Sequence, residues 1–368
     1  MEDQFLHLLR STLWGTAPDA SMFGADTHWE GVLSLASRHT VQGLVAQAIL
    51  RLADSQACSL PAGLEEKCLS MMMRNVHANQ LVDKVLAEVT GAISVEDFRP
   101  VLLKGQGVAR YYINPQLRVA GDIDYYVGTG HVFLQIIDCL SRRWPDMAIT
   151  DNGGKHVNTE LNGVEIELHR HAANRDGMRR AHRILNWADN ELRYGHNREY
   201  NVGNVVVNVP SPLFDCVFVF IHLFYHFLHE GVGLRQLCDW ARCLHENRKQ
   251  LDEAKLKGLL QWLGIKTEWQ VFGRLLVDYL GLPEEDMPCL RGYERRARRL
   301  LQLILSESNF GKERKADYFA SRPKSLLRHL CRSIVHNAKF WLTRIRLFPR
   351  QALPQAARFF LTGLRKKS

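Results

Sequence analysis

Gly121-Asp122-Ile123-Asp124-Tyr125-Tyr126-Val127 sets two carboxylates one residue apart at the start of an apolar strand. Side chains alternate faces along a strand, so Asp122 and Asp124 share one face while Ile123 and Tyr125 take the other. Two acids held side by side repel each other. Chains that keep such a pair offset the repulsion with divalent cations, and Mg²⁺ held by carboxylates plus substrate phosphates is the common case. An Asp-x-Asp alone is weak evidence, because most such pairs are solvated turn residues. The surrounding sequence decides its meaning.

Upstream, Arg99-Pro100-Val101-Leu102-Leu103-Lys104 reads as a short apolar strand ending in a glycine turn, followed by one or two helical turns from Gly107 to Ile113. Downstream, His131 to Leu140 has helical character and Met147 to Thr150 is strand-like. Residues His156–Leu161 and Val164–His169 flank Asn162-Gly163, the strongest short-range hairpin signal. In the second hairpin strand Val164, Ile166 and Leu168 face one way and Glu165, Glu167 and His169 the other. A sheet placing Asp122 and Asp124 beside Glu167 assembles three carboxylates able to hold two cations around a phosphoryl group. The order β-α-β-α-β-β-β indicates a small α/β unit with a mixed sheet.

On either side the pattern is helical. Apolar residues recur at helical spacing from Met1 to Leu13, behind an Asp26-Thr27 cap, from Thr40 to Leu52, and from Ala62 to Ile93, where Leu69, Met72, Met73 and Leu81 join the expected core stripe. Helices return at Pro212–His229, Leu234–Arg248, Leu251–Leu263, Thr267–Leu280 and Tyr293–Leu305. The expected organisation is therefore α+β: a helical region 1–95, the α/β core 96–209, a helical domain 210–310 and a basic helical tail 311–368. The most apolar window, Leu213–Leu228, carries Asp215, His222 and His226 and reads as a buried helix rather than a membrane span. Eight cysteines without a Cys-x-x-Cys pair argue against a zinc ribbon or disulfide framework. With no basic-then-apolar leader, a cytoplasmic protein with reduced thiols is expected.

The sequence resembles the uncharacterised bacterial nucleotidyltransferase family of the polymerase-β-like superfamily. The residues that carry the likeness are Leu102-Leu103-Lys104-Gly105, Tyr112, Arg118, Asp122-Ile123-Asp124 and Ile166-Glu167-Leu168-His169, with a looser match at His226, Gly233, Leu234, Arg235 and Asp239. The resemblance implies a polymerase-β-like core and transfer of a nucleoside monophosphate from an NTP, ATP first among them, to a hydroxyl-bearing acceptor. Asp122 and Asp124 would bind two Mg²⁺ ions, with Mn²⁺ as a substitute. Glu167 would complete the acceptor-side cation site and assist deprotonation of the acceptor. Lys104, Gly105, Gln106 and Arg118 would hold phosphates, with His226 and Arg235 closing the cleft from the helical side. The chain departs from the superfamily at Lys104-Gly105-Gln106, where relatives place Gly-Ser, and in the 17-residue step from Gly105 to Asp122.

Other readings compete. His222, His226 and His229 share one helical face and permit zinc ligation, but no acid or cysteine with suitable spacing accompanies them. His169 and His171 are equally consistent with substrate contact and with ordinary surface histidines. From Gly311 onward 15 Lys or Arg face only Glu313 and Asp317. Arg328, Arg332, Lys339, Arg344, Arg346 and Arg350, interleaved with Leu330, Ile334, Phe340, Trp341, Leu342, Ile345 and Leu347, fit a helix packed on the protein itself, a helix on an anionic membrane face, or one contacting RNA phosphates. No DNA partner is expected. The acceptor is left open as a small molecule, a protein or RNA. A toxin-antitoxin-type transferase acting on a protein or tRNA, and a nonenzymatic nucleotide-binding scaffold at the membrane face, are the alternatives.

Overall fold

The computed structural model describes residues 1–55, 59–94, 100–202, 205–309 and 326–365. Four helices come first: α1 (Glu2–Trp14), α2 (Trp29–Arg38), α3 (Gln42–Asp54) and α4 (Leu64–Ile93). A mixed seven-stranded sheet follows, built from β1 (Val101–Leu103), β2 (Ile123–Tyr126), β3 (Thr150–Asn152), β4 (His156–Leu161), β5 (Val164–His169), β6 (Arg198–Val202) and β7 (Val205–Val209). Its order is β3-β4-β5-β2-β1-β7-β6, with β2–β5 and β1–β7 parallel and the other pairs antiparallel. Between the strands lie α5 (Lys104–Ala109), α6 (His131–Arg143) and α7 (Ala181–Tyr194). The chain continues through α8 (Pro212–His229), α9 (Leu234–Asn247), α10 (Glu253–Leu263), α11 (Lys266–Leu280), α12 (Glu294–Glu307), α13 (Leu326–Leu347) and α14 (Pro349–Arg365).

Strand alternation sorts the sheet into two faces. Leu102, Ile123, Tyr125, Ile166 and Leu168 pack with Val82, Val85, Leu86 and Val89 of α4 and with Phe133, Ile136 and Leu140 of α6. Val101, Leu103 and Tyr126 belong instead to a second cluster that runs through α1–α3 and α8–α12. The hairpin turns as its sequence requires: Asn162 (φ 53°) and Gly163 (φ 81°) both adopt the left-handed backbone of a tight two-residue turn. Ser211 caps α8, accepting from the Phe214 N–H, and Pro212 occupies the first turn where its missing donor costs nothing.

Three expectations shift. Thr27 spends its hydroxyl accepting from the Gly24 N–H, so α2 begins at Trp29 without a side-chain cap. The α4 stripe is displaced: Leu69, Met73 and Leu81 are exposed, while the same helix buries Asn75 and Asn79. The third strand starts at Thr150, not Met147, and the β6–β7 hairpin and α7 fill a region where no element was expected.

In the basic tail, Phe340, Trp341, Leu347 and Phe348 are buried against the helical cluster. Arg344 is wholly buried, ion-paired with Glu307 and donating to the Phe227 carbonyl. This packing supports a helix docked on its own protein over at least part of α13. The cations at 312–324 and 366–367 lie outside the described residues. Helix α8 is long and apolar enough to cross a bilayer, yet two-thirds of it is buried inside the protein, as expected of a core helix.

Candidate active site

Beyond Leu103 the chain leaves β1 through two left-handed residues, Lys104 (φ 43°) and Gly105 (φ 42°, ψ −121°). A β-carbon at Gly105 would lie 2.8 Å from the Asp122 carbonyl oxygen, so the turn admits only glycine there. Lys104 adopts a conformation that side chains disfavour, and such strain concentrates at functional sites. The turn aims the Lys104 ammonium across the sheet to Asp124, with Nζ 2.8 Å from Oδ1.

Asp124 sits beside Leu103 on one side and Glu167 on the other by strand register. It is 4% exposed. His169 Nε2 lies 2.8 Å from Asp124 Oδ1 and 3.1 Å from Glu167 Oε2, joining the two acids. His156, opposite His169 in the β4–β5 register, places Nε2 3.7 Å from Glu167 Oε1. Burial opposes ionisation of Asp124, but the Lys104 ammonium and His169 outweigh it and hold the carboxyl well below the usual range. Glu167 behaves alike: burial raises it, and the His169 hydrogen bond brings it down overall. Lys104, penalised by burial, is kept protonated by Asp124 and pushed up. Both acids are therefore carboxylates, with Asp124 Oδ1 already engaged by Lys104 and His169. Asp122, one residue before β2, is exposed to solvent.

Asp122, Asp124 and Glu167 line one cleft of about 620 Å³ between the sheet and helices α8 and α9. Lys104, Gly105, Arg118, His226 and Arg235 also line it. Gln106 is not brought there: it turns to α4, donating to Asp83 Oδ1 at 2.6 Å and to Asn79 Oδ1 at 3.3 Å. Arg118 reaches the cleft wall with its guanidinium already committed, its Nε and Nη2 donating to Asp239 at 2.7 and 2.9 Å. Tyr112 donates to the same carboxylate at 2.7 Å. This buried fork fastens the segment before Asp122 to α9. Arg235 donates once, to the Val119 carbonyl, and its buried Nε has no hydrogen-bond partner among the described residues. His226 stacks edgewise on His222, ring centroids 4.4 Å apart, with Glu230 3.4 Å from its Nδ1. His229 instead turns to the Gly177 carbonyl at 2.7 Å, so the three helical histidines do not converge. His171 pairs with Asp189 at 2.6 Å.

Two further cleft residues lie outside the sequence expectations. Lys155, in the turn leading into β4, lines the cleft, where burial and then the charge of Lys104 pull its ammonium down. His156 follows it. Together with Glu167 and His169 it forms a set of donor atoms lying within 4.8 Å of one another, suited to a divalent ion. The Gly153-Gly154-Lys155-His156 run before an alternating strand is the signal that marks both. The donor chemistry of this cluster, one carboxylate with two imidazoles, fits a transition-metal ion such as Mn²⁺, whereas the carboxylates Asp122, Asp124 and Glu167 supply the oxygen ligands that Mg²⁺ takes.

A strained lysine–glycine turn, the Asp-x-Asp at the start of β2 and a parallel strand bearing Glu167 thus surround one open cleft. The model of the family described as uncharacterised nucleotidyltransferase matches residues 25–281, and the chain belongs to that family. No curated protein matches the chain. Among solved structures, it is similar to an antigenic nucleotidyltransferase-like protein from Paracoccidioides brasiliensis, with 13% identity and a TM-score of 0.33 over 56% of this chain and 93% of that one.

Proposed function

We propose that the protein transfers a nucleoside monophosphate from an NTP, ATP being the first to test, to a hydroxyl-bearing acceptor in the cleft between the sheet and α8–α9. The observation that supports this reading most is the convergence of Asp122, Asp124 and Glu167 on that cleft. Asp122, Asp124 and Glu167 would hold divalent cations, Mg²⁺ or Mn²⁺, and His156 would join as a donor on the Glu167 side only for Mn²⁺. When bound, such ions neutralise phosphate charge and orient the attacking and leaving oxygens.

The chain's own residues supply the rest. Lys155 and Arg235 face the cleft with little or no anionic pairing and would bind the triphosphate. Gly105 keeps the turn open beside Asp122. Arg118 and Asp239 hold the wall in place rather than binding phosphate directly. Glu167, held as a carboxylate, is the residue positioned to take a proton from the acceptor hydroxyl. His226 and Arg235 would close the cleft from its helical side.

The test uses α-phosphate-labelled NTPs with Mg²⁺ or Mn²⁺, follows the label into the acceptor product, and reads pyrophosphate release in a separate coupled assay. Wild-type protein should release pyrophosphate, and Asp122→Asn or Glu167→Gln should lower turnover by at least ~100-fold, the scale of losing one electrostatic contact to the transition state. Turnover unchanged in both variants would end this assignment. Nucleotide binding without pyrophosphate release would favour the scaffold alternative, with the Lys104 ammonium standing permanently in place of a cation on Asp124.

A further inference from the structure

Away from the cleft, α12 and the α13–α14 junction enclose two adjoining grooves of about 820 and 490 Å³ that share Tyr293 and Arg296. Cations from four separate chain segments line them, among them Arg179, Lys266, Arg296, Arg299, Arg346 and Arg350. Among the described residues the one acid in the lining, Glu268, is buried in the wall at 4% exposure. One-signed charge lining a concave surface focuses potential and draws in the opposite charge. The cations are also graded in depth: Lys266 and Arg296 are half-buried inside the grooves, whereas Arg299, Arg346 and Arg350 are exposed. A flat bilayer would meet only the exposed cations, while a flexible strand of phosphates can reach both tiers. Tyr293 adds a half-buried aromatic ring with the Arg296 guanidinium 5.2 Å from its centroid. Basic grooves with interspersed aromatic rings are how single strands are held without sequence preference, the bases stacking while the backbone follows the charge.

We propose that this double groove binds the backbone of a single-stranded nucleic acid. The groove does not touch the residues assigned to nucleotidyl transfer, and its occupancy does not depend on that activity.

The full chain is titrated against a fluorescent oligouridylate of about a dozen nucleotides by anisotropy at several salt concentrations, with oligothymidylate as the arm that separates RNA from DNA. Phosphatidylserine vesicles and inorganic phosphate are run in parallel. Wild-type protein should bind an oligonucleotide with a log–log salt slope steeper than about −2, as several released counterions require. Arg299→Glu/Arg346→Glu, both on exposed positions, should weaken binding at least ~10-fold and flatten the slope by about 2. Arg74→Glu, on the exposed side of α4, should leave both unchanged. The proposal is overturned if neither oligonucleotide binds, or if the double variant binds as wild type does. Vesicle binding that the double variant abolishes, without oligonucleotide binding, would reassign the surface to lipid and overturn it equally.

Discussion

Asp124 gives one oxygen to both Lys104 and His169, so its replacement strands a buried imidazole and a half-buried ammonium. Breaking a buried pair by removing one member costs about 3–5 kcal/mol, because the remaining charge is left unpaired. Asp124→Asn should lower stability on that scale in urea unfolding, and adding Lys104→Met should recover much of the loss. Asp122→Asn, on an exposed side chain, should stay within about 0.5 kcal/mol of wild type. Equal stability of the two single variants would show that the ion pair contributes nothing to the fold. The contrast also makes Asp122 the cleaner probe of chemistry, since any lost turnover there cannot be blamed on unfolding.

At the scale of elements, α4 does more than cover the sheet. Asn75 donates to the Leu117 carbonyl at 3.0 Å, and Asn79 to those of Gln116 and Arg118 at 3.1 and 2.8 Å. These bonds hold the segment that delivers Asp122 to the cleft. Asn79→Ala removes the donor from buried carbonyls and should cost about 1–3 kcal/mol in chemical denaturation. A loss of less than about 0.5 kcal/mol would mean water replaces the amide. The sequence made the local devices legible: Asn162-Gly163 announced its turn, and alternation separated Ile123 and Tyr125 from Asp124, because both follow from neighbouring residues. It could not show that Asn75 and Asn79 of an apolar-looking helix act as clamps, nor that Arg118 is consumed by Asp239, since each partner lies far along the chain. Lys155 and His156 escaped for the same reason, as only the β4–β5 register carries them to Glu167.

Across the whole molecule, two buried titratable groups set opposite limits on stability with pH. Burial pushes the Glu268 carboxyl up to about 7, with Arg296, Arg350 and Arg179 only partly offsetting it. Its folded value exceeds the unfolded one near 4.5, so its contribution is complete below about pH 4.5 and is lost as pH rises through 7. Burial, aided by Arg38, lowers His39 to about 4. Its contribution is present above pH 6.5 and is lost as pH falls through 4. Urea unfolding between pH 4 and 7 should show Glu268→Gln removing a fall in stability as pH rises from about 4.5 to 7, and His39→Leu removing a rise between about 4 and 6.5. Variant curves parallel to wild type would dispose of both assignments.

The Trp14 indole donates to the Leu280 carbonyl at 2.5 Å, and Arg242 to the Leu13 carbonyl at 3.4 Å. The end of α1 thus completes its hydrogen bonding against α9 and α11. On a ribosome, α1–α3 would emerge with the Trp14 indole and the Leu13 carbonyl lacking these partners while more than 150 further residues are made before α9 begins. At about 5–20 residues per second that wait lasts on the order of 10–30 s. The nascent chain is therefore a natural client for chaperones.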